Sequence, residues 1–110
     1  MRKFHRKTAD RRAFLQGLIH NLIMRNRIET TVARAKEIRP LTEKLVTHAK
    51  RQDLASLRYL IQRLPKQSAM KLYHEVAPKY KERKGGYIRI HKMMGVRKRD
   101  AAPKAMIEFV

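Results

Sequence analysis

Between Tyr80 and Ile90 the chain reads YKERKGGYIRI, where Lys81, Arg83, Lys84 and Arg89 stand beside two tyrosines and a Gly-Gly pair. Arginine and lysine contact phosphate, and tyrosine can stack on an unpaired base or donate its hydroxyl to a ribose 2′-OH. Gly85 and Gly86 remove side chains where a phosphodiester backbone would approach, and they allow positive φ angles. The chemistry on offer is the binding of a nucleic-acid backbone. A plain turn ahead of a strand, with a solvated basic face, is the competing reading of the same residues.

Two further basic clusters point the same way. MRKFHRKTADRR, Met1 to Arg12, carries Arg2, Lys3, His5, Arg6, Lys7, Arg11 and Arg12 against the single acid Asp10. A stretch so charged does not pack by itself and reads as an extended arm. Near the other end, Arg97, Lys98 and Arg99 follow one another in GVRKRDAAP. The candidate RNA contacts are therefore the seven arm residues just named, Tyr80, Arg83, Lys84, Gly85, Gly86, Tyr87, Arg89 and His91 in the glycine-bearing stretch, and Arg97, Lys98 and Arg99. Residues 1–12 form the basic arm and residues 13–110 a single domain.

Catalytic chemistry is poorly supplied. The histidines at 5, 20, 48, 74 and 91 show no HxH or HExxH spacing, so a zinc site would have to be assembled from distant positions. The scattered acids offer no pair separable into acid and base; Glu29, Glu37 and Glu43 read as surface ion-pair partners. Ser56 and Ser68 lack a nucleophile elbow, and Gly85-Gly86 lies in neither GxxxxGK[ST] nor GxGxxG. No enzymatic activity, cofactor, metal or small-molecule substrate is expected.

Composition supports a polyanionic partner. The 110 residues hold 28 Lys and Arg against 9 Asp and Glu, a net charge of +19, and self-repulsion of that size opposes a compact fold unless a polyanion neutralises it. The absence of cysteine excludes disulfides and thiolate zinc sites. No apolar run reaches the roughly 18 residues of a membrane span. A basic helical DNA-binding protein would share the charge, yet no short helix-turn-helix with a clear recognition helix is visible. A membrane-active protein would gather its bases on one face of an amphipathic helix, whereas these are spread along the chain.

The elements that must position these residues follow from periodicity. Phe14, Leu15, Leu18, Ile19, Leu22 and Ile23 recur at helical spacing, predicting a helix from near Thr8 or Asp10. Gly17 inside it suggests the close approach of another backbone. RIETT, Arg27 to Thr31, reads as a short strand whose Thr31 caps the next helix, Val32 to about Arg51. That helix places Ala35, Ile38, Leu41, Leu45 and Ala49 on one side. The stripe keeps its phase across Pro40, which predicts a kink rather than a break. A helix capped by Asp53 carries Leu54, Leu57, Leu60, Ile61 and Leu64 and stops at Pro65. A shorter one with Ala69, Leu72, Tyr73 and Val76 ends before Pro78. Helical spacing makes Phe14 and Tyr73 core residues. After Gly86 the period becomes two, with Ile88 and Ile90 on one face and Tyr87, Arg89 and His91 on the other. A second strand holds Ala105, Ile107 and Phe109, with residues 95–103 as the loop between.

Four runs together resemble the bacterial-type large-subunit ribosomal protein L17 family: TADRRAFLQGLIHNLI, RIETTVARAKEIRPLTEKLVTHAKR, VAPKYKERKGGYIRI and RDAAPKAMIEFV. The likeness spans nearly the whole chain. It implies an α+β fold, helices packed on a small three-stranded mixed sheet with a basic N-terminal extension, and a non-catalytic role. The implied partners are large-subunit ribosomal RNA and neighbouring large-subunit proteins, with no membrane involved. The implied location is the ribosome in the cytoplasm. Met1 to Leu18 also has the arginine-rich, acid-poor character of a mitochondrial presequence, which makes an organelle-matrix ribosome the alternative.

Overall fold

The apolar stripe that starts at Phe14 lies on helix α1, Thr8–Arg25, in the computed structural model, which describes residues 7–96 and 102–110. Arg2, Lys3, His5, Arg6, Arg97, Lys98 and Arg99, all candidate RNA contacts, lie outside the described residues. Leu15, Ile19, Leu22 and Ile23 of α1 are buried, with Phe14 and Leu18 packed beside them. Residues 8–12, which composition assigns to the arm, are helical, because α1 begins before its apolar stripe does. Gly17 departs from expectation. It is exposed, and nothing lies within 4 Å of the position a Cβ would take, so no other part of the described chain approaches it closely.

Asn26 ends α1 with φ 66°, a left-handed conformation that Asn tolerates, and turns the chain into strand β1, Arg27–Thr31. Thr31 Oγ1 accepts the Arg34 amide at 3.2 Å and so caps α2, Val32–Ala49. The helix runs unbroken through Pro40, whose side is exposed. Ala35, Ile38, Leu45 and Ala49 are buried as the stripe predicts, and Thr42 and Val46 join them. The Thr42 hydroxyl escapes the usual penalty of burial by donating to the Ile38 carbonyl at 2.8 Å.

Gln52 makes the turn to the next helix at φ 56°, its side-chain amide donating to the carbonyls of Ala49 and Tyr73 at 2.8 Å each. Asp53 Oδ1 then accepts the Ser56 amide at 2.7 Å and starts α3, Leu54–Arg63. Leu60 and Leu64 are buried, but Leu54 and Ile61 of the same stripe are 60% and 40% exposed. The stripe is wider than the surface that the other described residues offer to cover it. Helix α4, Lys66–Lys71, continues into a π-helical turn, Leu72–Val76, and a 3₁₀ turn, Ala77–Tyr80. Tyr73 is partly buried against the core. Pro78 therefore marks a change of helix type rather than an end: it sits in the first turn of the 3₁₀ segment, where a missing N–H is harmless.

Strands β2, Ile88–Val96, and β3, Pro103–Phe109, complete a sheet of order β1-β3-β2. Fold class and strand number agree with expectation. The sheet itself is antiparallel in both pairings rather than mixed, with Ile28 opposite Ile107 on one side of β3 and Ile90 opposite Ile107 on the other. The helical crossover carries β1 and β2 in the same direction, and β3 is inserted between them, so the two parallel strands never touch. β2 also reaches farther than expected, absorbing Gly95 at φ 89° within an irregular stretch between Lys92 and Val96. Ile88, Ala105 and Ile107 face the helices and close the core with Leu22, Ile38 and Leu72.

Candidate nucleic-acid interface

The glycine-bearing loop is held at both ends by its tyrosines. Tyr80 closes the 3₁₀ turn and donates its hydroxyl to the main-chain oxygen of Val110 at 2.7 Å. Its ring lies 5.3 Å from that of Tyr87 and 6.4 Å from that of Phe109. Burial raises the Tyr80 phenol above its ordinary pKa, against the smaller opposing pull of Arg83 and Arg89. Tyr87 donates to the Arg83 carbonyl at 3.2 Å and accepts from the Lys50 ammonium at 2.8 Å; Lys50 also donates to the Arg83 carbonyl. Gly86, at φ 64°, supplies the reversal that lets the chain return to the sheet.

Both tyrosines consequently differ from expectation. Tyr80 and Tyr87 are 6% and 2% exposed, so neither ring is open to a base. Tyr87 does not share the outer face with Arg89 and His91, because the turn at Gly86 places it ahead of the strand and strict alternation begins only at Ile88. The tyrosines fix the loop from below while Lys81, Arg83 and Lys84 stand exposed above it. Arg83 is steadied by the Gly85 carbonyl, 3.2 Å from its Nε.

Next to the loop lies the outer face of the sheet. Arg27, Glu108 and Arg89 form one row across the three strands, and Glu29, Met106 and His91 the next. Glu108 contacts Arg89 Nε at 3.3 Å and His91 Nε2 at 2.8 Å, and Glu29 lies 3.6 Å from Lys104. Glu29, Glu37 and Glu43 are all ion-pair partners, with Arg11 3.0 Å from Glu37 and Arg39 3.6 Å from Glu43. Arg89 and His91 remain about half exposed.

A third feature lies within the helical layer. Helices α1, α2 and α3 enclose a groove of about 650 Å³ with Leu15, Ile19, Leu41 and Leu45 among its lining and Tyr59 at its side. The His48 ring stacks on Tyr59 at 3.8 Å, and the Arg63 guanidinium carbon lies 3.5 Å from the same centroid. Groups that close must occupy opposite faces of the ring. Burial, then the positive charges of Arg51, Lys44 and Arg63, lower the pKa of His48, which favours its neutral form.

The sequence has known relatives. The family model described as "Ribosomal protein L17" matches residues 14–110. The chain belongs to the ribosomal protein L17 family. Relatives named "Large ribosomal subunit protein bL17" include those of Thermodesulfovibrio yellowstonii, 46% identical over 99% of this chain and 82% of the relative, and Sulfurihydrogenibium sp., 47% identical over 99% and 91%. That of Sphingopyxis alaskensis is 49% identical over 99% of this chain and 78% of its own length. The L17 family consists of structural ribosomal components rather than enzymes.

In this L17 chain the expected site residues separate into groups. Arg83, Lys84, Gly85 and Gly86 share one loop, and Arg89 and His91 share the adjoining sheet face. Lys7, Arg11 and Arg12 stand apart at the start of α1, where Arg11 is held by Glu37 while Lys7 and Arg12 are exposed. Among the described residues no group of three or more His, Asp or Glu could hold a metal, and no helix is long and apolar enough to cross a membrane. Sequence reasoning missed Lys50, which braces the loop from just past the end of α2, and the grouping of Tyr59 with Lys44 and Arg63. The four-residue spacing of Tyr59 and Arg63 was the available signal, since it places them on one helix face.

Proposed function

We propose that this protein is a structural constituent of the large ribosomal subunit that binds and stabilises folded large-subunit ribosomal RNA. The observation that carries the reading is a set of cations, Lys81, Arg83 and Lys84, exposed on a loop pinned to the core through Tyr80, Tyr87 and Lys50. Prearranged charge binds a phosphate backbone without first losing loop entropy. The names of the relatives, each a large-subunit protein, support the same reading. In it, residues 1–7 and the basic residues of 95–100 thread between RNA segments and neutralise their crowded phosphates, Arg89 and His91 extend the contact onto the sheet face, and neighbouring large-subunit proteins share the surface. The protein then resides in the ribosome, in the cytoplasm of a bacterial host.

Sedimentation of a lysate containing tagged protein, at low and high salt, tests this. Comigration with the large subunit that survives a high-salt wash is the expected result. Release into light fractions at moderate salt would overturn it and leave a basic DNA-binding protein as the better reading.

A further inference from the structure

We infer that the groove between α1, α2 and α3 takes a single unpaired nucleotide of the RNA, its base against the apolar floor and its phosphate on the rim. This rests on the proposed RNA-binding role and names a second contact, formed by a different set of residues from the glycine-bearing loop. At about 650 Å³ the groove has the size of a small-ligand cleft. Leu15, Ile19, Leu41 and Leu45 give it an apolar floor of the kind a nucleobase covers. A paired base in an A-form helix cannot reach such a floor, since its faces are stacked and its edge is occupied, whereas an unstacked nucleotide offers both.

The polar lining matches the rest of a nucleotide. It contains no carboxylate, and Arg12, Lys44 and Arg63 bring three positive charges to it. Arg11 also lines the groove but is joined to Glu37, so the charge available to a phosphate comes from the other three. Gln16 and Gln62 each present an amide with two donors and an acceptor, the complement of a Watson–Crick edge. Tyr59 already carries His48 on one face and Arg63 on the other, so a base extends that stack over the guanidinium plane rather than displacing either partner.

Fluorescence anisotropy of the full chain with labelled RNA hairpins tests the inference. The probes are a fully paired stem and stems of equal phosphate number carrying one bulged nucleotide, with each of the four bases in turn. Wild type should bind at least one bulged probe about ten-fold more tightly than the paired stem, within the range a single stacked base contributes. The double variant Q16A/Q62A, which places alanine on two helices, and separately R63Q, should bring that ratio to about one. The control K36Q removes one exposed charge outside the groove and should weaken both probes alike while keeping the ratio. Absence of preference for all four bulges, or an unchanged ratio in both groove variants, overturns the inference. So does a wild-type dimer in sedimentation that Q16A/Q62A dissolves, since the groove would then be an interface between copies. Large-subunit comigration is scored in parallel: a chain that comigrates without bulge preference loses only the groove contact, and one that washes off loses the RNA-binding role itself.

Discussion

The ammonium of Lys50 lies 2.8 Å from the hydroxyl of Tyr87, joining the residue that follows α2 to the residue that precedes β2. Because Lys50 and Tyr87 both hold the Arg83 carbonyl, the basic loop is braced from the helical layer as well as from the sheet. A surface meant to carry several cations close together needs such bracing, since their repulsion would otherwise spread the loop.

Replacing Tyr87 with phenylalanine keeps the buried ring and removes both hydrogen bonds, so the loss in stability should be about 1 kcal/mol. Tyr87→Ala also empties the ring's place in the core and should cost about 3–5 kcal/mol. Urea unfolding of the two variants measures the difference. Equal losses would mean that the hydroxyl, not the ring, secures the loop.

Arg83 and Arg89 make only partial internal contacts, at 3.2 Å to the Gly85 carbonyl and 3.3 Å to Glu108. Exposed interactions of this kind contribute about 1 kcal/mol or less. The double variant R83A/R89A should therefore stay folded and yet enter large-subunit particles less efficiently. With about eight phosphates neutralised, wild-type affinity for the isolated RNA should fall by on the order of 10³ to 10⁴ between roughly 50 and 200 mM salt, and the variant should respond less steeply. Normal incorporation and an unchanged salt response would remove both arginines from the contact surface.

Two glycines should respond in opposite directions to alanine. At Gly86, with φ 64°, an alanine must adopt a left-handed conformation and should destabilise the protein by about 1–2 kcal/mol. At Gly17, helical and with open space around the new Cβ, alanine should stabilise the isolated chain by about 0.5–1 kcal/mol. Thermal melts of both variants check the pair, and a destabilising Gly17→Ala would show that α1 is not an ordinary exposed helix at that point.

Asp53 caps α3, and its carboxyl is held below its ordinary pKa by the Ser56 hydroxyl first and the Ser56 amide next. A depressed folded-state pKa gives stability that is present above the unfolded value of about 3.9 and lost as pH falls through the folded one. The melting-temperature advantage of wild type over Asp53→Ala should thus be constant near neutrality and shrink below about pH 4. An advantage unchanged down to pH 2 would show that the charged carboxylate is not what caps the helix.

Much of this molecule is local, and local features are legible in sequence. The Thr31 and Asp53 caps, the RIETT strand and the stripe of α1 each depend on residues within a few positions of one another, and all appear where the chain predicts them. The excess of positive charge is a sum over residues and needs no fold. Tertiary structure alone decided what each face meets. Tyr80 and Tyr87 look like RNA-facing aromatics beside the bases around them, yet Phe109, Val110 and Lys50, remote in sequence, turn them into anchors. Leu54 and Ile61 fit an apolar stripe but no described neighbour covers them, and none of the described residues comes close to Gly17. The insertion of β3 between β1 and β2, and the convergence of three helices on one groove, likewise depend on segments far apart in the chain. Periodicity states which residues share a face; only packing determines what that face touches.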